Sequence, residues 1–122
     1  MPRQVLDDAH IHPSIRSRIE THQQAIVHEV QAAVAAHAVV VVGMAMNPFP
    51  KKARKALDQA GVAHHYLEYG SYLGQWRQRN ALKMWTGWST FPMVFVRGTL
   101  VGGATDVSRL IASGELKALL AG

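Results

Sequence analysis

Leu82-Lys83-Met84-Trp85-Thr86-Gly87-Trp88-Ser89-Thr90-Phe91-Pro92 is the stretch whose reading decides the fold. It begins as the end of a helix that reaches about Trp85. Thr86 to Thr90 then reads as loop, and Phe91-Pro92 opens a strand, Met93-Val94-Phe95-Val96. Arg97-Gly98 supplies a two-residue hairpin turn into Thr99-Leu100-Val101, and Gly102-Gly103 ends that strand.

Working outward toward the N-terminus, Ala38-Val39-Val40-Val41-Val42-Gly43 is β-branched on both faces, as in a strand covered on both sides. Asn47-Pro48-Phe49-Pro50 breaks the chain after it, and Pro50 fits only the first turn of a helix. Lys51 to Ala60 is helical in composition, with Gly61 as its stop. Val62 to Tyr69 alternates loosely as a further strand, and Gly70 to Gly74 turns into the helix that leads back to Trp85. Ile15, Ile19, Ile26, Val30 and Val34 recur at helical spacing, so residues 14–37 read as one long amphipathic helix, with Ser14 as cap and Pro13 at its start. Beyond the hairpin, Asp106 to Ile111 and Glu115 to Leu120 read as helix broken at Ser113-Gly114. Residues 1–13 form an N-terminal extension and 14–122 one domain.

The order α, β, α, β, α, β, β, α implies an α/β fold. Strands joined through helices run parallel and the hairpin pair antiparallel, giving a four-stranded mixed sheet with helices on both faces.

Composition narrows the function classes. The 122 residues suit one domain, and 48% are apolar, enough for a core. The longest apolar block, Ala32 to Met46, is interrupted by His37 and falls short of a membrane span. Met1-Pro2-Arg3-Gln4-Val5-Leu6-Asp7-Asp8 lacks a secretion signal's layout, so a cytoplasmic location is the expectation. The chain has no cysteine, which excludes disulfides, thiolate metal sites and thiol nucleophiles. Its net charge of +5 is scattered except at Lys51-Lys52-Ala53-Arg54-Lys55, which reads as a solvated helix face, so a nucleic-acid partner is not expected. His10-Ile11-His12 lies in the extension. His64-His65 would point to opposite faces of a strand and chelate poorly, so no metal site is expected. Trp76, Trp85 and Trp88 read as core and loop aromatics.

The order of elements, the 82–92 segment, the hairpin from Phe95 to Gly103 and the ending Ser113-Gly114-Glu115-Leu116-Lys117-Ala118-Leu119-Leu120 together resemble the glutaredoxin family, of thioredoxin-like fold. The resemblance covers roughly residues 24–122 and is greatest to the monothiol branch, whose corresponding segment ends in Trp-Pro-Thr-(apolar)-Pro. The long helix before Ala38 is then an addition at the N-terminus. The family places Cys-Pro-Tyr-Cys or Cys-Gly-Phe-Ser between the first strand and the next helix. Here Asn47-Pro48-Phe49-Pro50 stands there, so Asn47 replaces the nucleophile and only Phe49 keeps the aromatic. The lysine that precedes the family's cysteine has no counterpart, since Met44 and Met46 flank the site. The loop after the first strand is also shorter than in most monothiol members.

The resemblance implies a glutathione-binding frame. Phe91, before a cis Pro92, would pair its backbone with the cysteinyl part of glutathione. Thr105 and Asp106 would hold the γ-glutamyl ammonium and carboxylate, and Arg79, or less well Lys83, would meet the glycyl carboxylate. Asn47 and Phe49 complete the candidate ligand-binding set, with no catalytic residue. Each residue also has an ordinary structural occupation. Asp106 or Thr105 can be a helix cap, Gly102-Gly103 a tight turn and Arg79 solvated surface.

Three functions remain open on this reading. The first is a redox-inactive module that binds glutathione or a protein through the old active-site surface. The second is a glutathione-dependent oxidoreductase- or transferase-like enzyme that works without a protein thiol. The third is a structural or oligomerisation role led by the N-terminal helix, whose apolar stripe would pack on a partner.

Overall fold

The computed structural model describes residues 3–71 and 73–121. Met1, Pro2 and Gly122, at the two ends of the proposed extension and domain, lie outside them, as does Tyr72 in the turn expected from Gly70 to Gly74. Among the described residues no helix is long and apolar enough to cross a membrane.

Four strands, β1 (Val39–Gly43), β2 (His65–Glu68), β3 (Met93–Val96) and β4 (Thr99–Gly102), form one sheet in the order β2-β1-β3-β4. β1 runs parallel to β2 and antiparallel to β3, and β3 runs antiparallel to β4. This is the mixed sheet expected from the α/β order. Arg97 (φ 52°) and Gly98 (φ 82°) both take the left-handed conformation that a tight hairpin demands.

The valine run of β1 is buried throughout because both faces are covered. Val40 and Val42, with Met93 and Phe95, face Ile26, Val30 and Leu82 of the helices on one side. Val39 and Val41, with Val94 and Val96, face Ala53, Leu57, Val107 and Leu116 on the other. The first layer comprises α2 (Gln24–Ala36) and α4 (Trp76–Thr86), the second α3 (Pro48–Gln59), α5 (Ala104–Ser113) and α6 (Glu115–Ala121).

The N-terminal region departs from its sequence reading. Instead of one helix over 14–37 there are two, α1 (Pro13–Thr21) and α2, separated at His22-Gln23, where Gln23 is left-handed (φ 47°). The break brings Ile15 and Ile19 beside Met84 of α4. The cap of α1 is His12, whose Nδ1 accepts the Ser14 amide hydrogen at 3.1 Å, with Pro13 at the first helical position. Two other helices start earlier than their composition suggests, α3 at Pro48 and α5 at Ala104. Pro48 and Pro50 are both accommodated in the first turn of α3, where amide hydrogens have no helical partner. Pro50, Ala53 and Leu57 then form its buried stripe. β2 is confined to His65–Glu68, shorter than the Val62–Tyr69 run.

Candidate functional site

The loop after β1 and the first turn of α3 form one wall of the site. Asn47 is the cap of α3, and its Oδ1 accepts the Phe49 amide hydrogen at 3.0 Å. Phe49 is half exposed, and Lys52 Nζ lies 5.2 Å from the centre of its ring, within cation–π range.

The facing wall comes from the segment before β3. Phe91 and Pro92 are buried, and the peptide bond between them is cis. Lys83, from the last turn of α4, places its Nζ 5.8 Å from the Phe91 ring centre. Trp88 sits in the preceding loop, held by its backbone N–H donating to Thr86 Oγ1 at 3.1 Å.

The floor is the start of α5. Asp106 Oδ2 accepts the Gly103 amide hydrogen at 2.9 Å, closing the helix start upon itself. Gly102 is required there, because at φ 115° a Cβ would run into the Asp106 carboxylate. Ala104 is buried, whereas Thr105 is exposed and unencumbered by a cap role.

Together these elements enclose an open cleft of about 310 Å³, lined by Phe49, Trp88, Phe91, Pro92, Thr105 and Asp106 with the Gly103-Ala104 backbone. That is near the lower end of volumes typical of small-molecule sites. The structure therefore brings together Phe49, Phe91, Pro92, Thr105 and Asp106 of the sequence-predicted set. Asn47 stands one turn-residue pair away, tied to Phe49 through its cap bond.

Arg79 has a different place. It is only 8% exposed and donates from its Nη1 to the carbonyls of Tyr69, at 3.0 Å, and Gly74. It braces the β2–α4 connection from inside and does not line the cleft. The solvated-surface reading fails with it. The other cation of this helix considered for that role, Lys83, lies over the ring of the cleft residue Phe91.

Two contributors were not singled out from the sequence. Lys52, in the helical turn that follows, lies over the ring of the cleft residue Phe49. Trp88, read as a loop aromatic, lines the cleft, and its indole Nε1 is buried with no hydrogen-bond partner among the described residues. A Cβ added at Gly103 would sit 3.6 Å from the Pro92 carbonyl oxygen and 3.9 Å from that nitrogen. The absent side chain thus leaves room beside two polar groups.

The histidines disperse. His65 stacks on His37 with ring centres 4.2 Å apart, while His64 turns to the Val62 carbonyl at 3.2 Å and lies 3.8 Å from Asp58.

The glutaredoxin family model matches residues 39–101. A glutaredoxin-like protein of Dictyostelium discoideum is 44% identical over 103 residues, covering 84% of each chain. This chain belongs to the glutaredoxin family. The human mitochondrial glutaredoxin-2 is 31% identical over 109 residues, which span 85% of this chain and 63% of the human one. Among solved structures, oxidized glutaredoxin 2 from Chlamydomonas reinhardtii superposes with a TM-score of 0.70 at 29% identity, over 81% of this chain and 94% of that one. The buckwheat glutaredoxin–glutathione complex superposes with a TM-score of 0.71 at 25% identity, over 84% and 93%. This glutaredoxin-like chain contains no cysteine, so no side chain in it can form a mixed disulfide or give thiolate ligands to an iron–sulfur cluster.

Proposed function

We propose that this glutaredoxin-like chain is a redox-inactive module that binds glutathione non-covalently in the Phe49–Trp88–Phe91–Asp106 cleft. The observation that carries the reading is a cleft kept open in a chain with no thiol to use it. Its floor offers the first amides of α5 to a carboxylate and the Asp106 carboxylate to an ammonium, the two charges of a γ-glutamyl end. Lys52 and Lys83, over Phe49 and Phe91, supply positive charge at the rim for the glycyl carboxylate. The orphan Trp88 indole N–H and the space left by Gly103 fit a ligand that brings hydrogen-bond acceptors. A related chain of the same fold, the buckwheat protein, forms a complex with glutathione. Trp88 and Thr90-Phe91-Pro92 also support kinship with the monothiol branch, though Ser89 replaces its proline.

At the other end Asn47 has taken over the task of capping α3. The bound thiol therefore meets a carboxamide and no nucleophile, and binding ends in a complex, not a reaction.

Isothermal titration with reduced glutathione and with S-methylglutathione tests this. Saturable binding of both, with the methylated form retained within a few-fold, is the expected result, since no protein–sulfur bond is involved. Absence of heat and of NMR shifts at cleft residues with millimolar ligand would overturn the reading.

A further inference from the structure

The segment before α1 reaches the loop that carries Trp88. At one end the Arg3 guanidinium lies on Gly87, the residue that closes α4 and precedes Trp88. The other end is fixed to α1. Asp8–His10 forms a 3-10 turn in which Asp7 Oδ1 accepts the Ala9 amide hydrogen at 3.0 Å. Arg16 Nη2 then donates to the carbonyls of Asp8 and Ile11, each at 3.0 Å. Residues 3–10 are exposed, so the segment is held at its two ends and not by burial between them.

Gly87 has φ 78°, and its N–H donates to the Lys83 carbonyl at 2.8 Å. A positive φ does not by itself call for glycine in this chain, because Gln23, Met46, Gln75 and Arg97 adopt one too. Arg3 is what demands glycine here, since a Cβ at position 87 would fall on its guanidinium. The guanidinium in turn fills the place of the missing side chain and restrains a residue that is otherwise free to swing. Its charge suits the position, because the carbonyl end of a helix is the negative end of its dipole.

Trp88 follows directly. Its backbone N–H donates to Thr86 Oγ1, which itself donates to the Leu82 carbonyl at 2.8 Å. The restraint on the indole that lines the cleft therefore runs from α4 through Thr86 and Gly87, and Gly87 is its loosest link.

We propose that Arg3 is a positioning residue for the cleft, and that the segment before α1 is a strap holding Gly87, and through it Trp88, in the geometry that a ligand meets. The effect on affinity rests on the glutathione reading above; the effect on Trp88 does not. Without Arg3, Gly87 regains its freedom and the ligand has to order the loop as it binds.

The heteronuclear NOE of the indole N–H groups, measured without ligand, tests the strap directly. Arg3→Ala should lower the value at Trp88 and leave those of Trp76 and Trp85 as they were, with the melting temperature unchanged. An unaltered Trp88 value overturns the proposal, whether or not glutathione binds. Glutathione titration adds the second reading. Arg3→Ala should raise the dissociation constant about fivefold, the scale of one backbone residue set free. Gly87→Asn puts a side chain that tolerates the left-handed region where the guanidinium lies, and narrows the residue's freedom again. Arg3→Ala/Gly87→Asn should therefore bind as wild type does. A double variant no tighter than Arg3→Ala, or an Arg3→Ala that binds as wild type, overturns the positioning role. A wild type that binds no glutathione ends the cleft reading instead, and the Trp88 value then decides the strap alone.

Discussion

Asn47 and Phe49 are joined by a 3.0 Å bond from the Phe49 amide to the Asn47 carboxamide oxygen. An acceptor thus occupies the start of α3 where the family has a thiolate, and the helix amide is satisfied by a neutral group. Asn47→Ala should therefore cost about 1 kcal/mol of stability, the usual worth of a cap, read from denaturant unfolding.

The same bond predicts what a sulfur would meet there. In Asn47→Cys the thiol inherits the Phe49 N–H and the positive end of α3, with Lys51 and Lys52 in the turns that follow. Its pKa should fall at least about one unit below the ordinary ~8.5. Thiolate absorbance against pH measures it. The variant should also form a mixed disulfide with oxidised glutathione faster than a cysteine at the exposed Lys55.

Asp106 is the cap partner of Gly103 and the proposed partner of a ligand ammonium, and two substitutions separate these roles. Asp106→Asn keeps an oxygen for the Gly103 amide but removes the charge. It should leave the melting temperature nearly unchanged while weakening glutathione binding about tenfold. Asp106→Ala should lose both, with about 1 kcal/mol of stability gone.

Arg79 should behave in the opposite way. Its guanidinium satisfies two carbonyls from within the fold, so Arg79→Met leaves them without that donor and should destabilise by roughly 2–3 kcal/mol. Glutathione affinity of the folded fraction should not change. A selective loss of affinity with stability intact would return Arg79 to the binding site.

Tyr66 gives the fold a limit in alkali. Burial, then the hydrogen bond to Glu68 and the charge of Glu68, push its hydroxyl from 10.0 up to about 12, against a smaller opposing pull from Arg54. Tyr69 is raised too, by burial and by its bond to Glu29. A raised folded-state pKa means that the folded chain holds the proton more tightly. Its stabilising effect is complete below pH 10 and is lost as pH rises toward 12. Urea midpoints should fall across that window, and Tyr66→Phe should flatten the fall.

The sheet was legible because its residues state their environment. Val39–Val42 can be comfortable only when covered on both faces, and Arg97-Gly98 permits little but a tight turn. The break between α1 and α2 was not, because His22-Gln23 contains neither glycine nor proline and the apolar spacing continues across it. There Gln23 takes a left-handed conformation (φ 47°) that the apolar pattern does not announce. Arg79 misled for a related reason. An arginine on a polar helix reads as surface or ligand, whereas its partners here are backbone carbonyls, invisible in side-chain pattern. Thr105, Asp106, Phe91 and Pro92 could be placed together only through family resemblance, since they are distant in sequence and none is distinctive alone. Trp88 joins them through a turn whose direction the sequence does not give.

β2 and β4 are the two margins of the sheet. An open margin is a row of unpaired amides and carbonyls that invites strands from other molecules. Both are poor templates. β2 has only four residues, and the Arg54 guanidinium lies 4.0 Å from the Tyr66 ring centre beside it. β4 pairs with β3 through a register shift at Val94/Phe95 and ends at Gly102 with φ 115°. An irregular, abruptly ended strand resists continuous pairing. The molecule is thereby guarded against strand-to-strand aggregation along its edges.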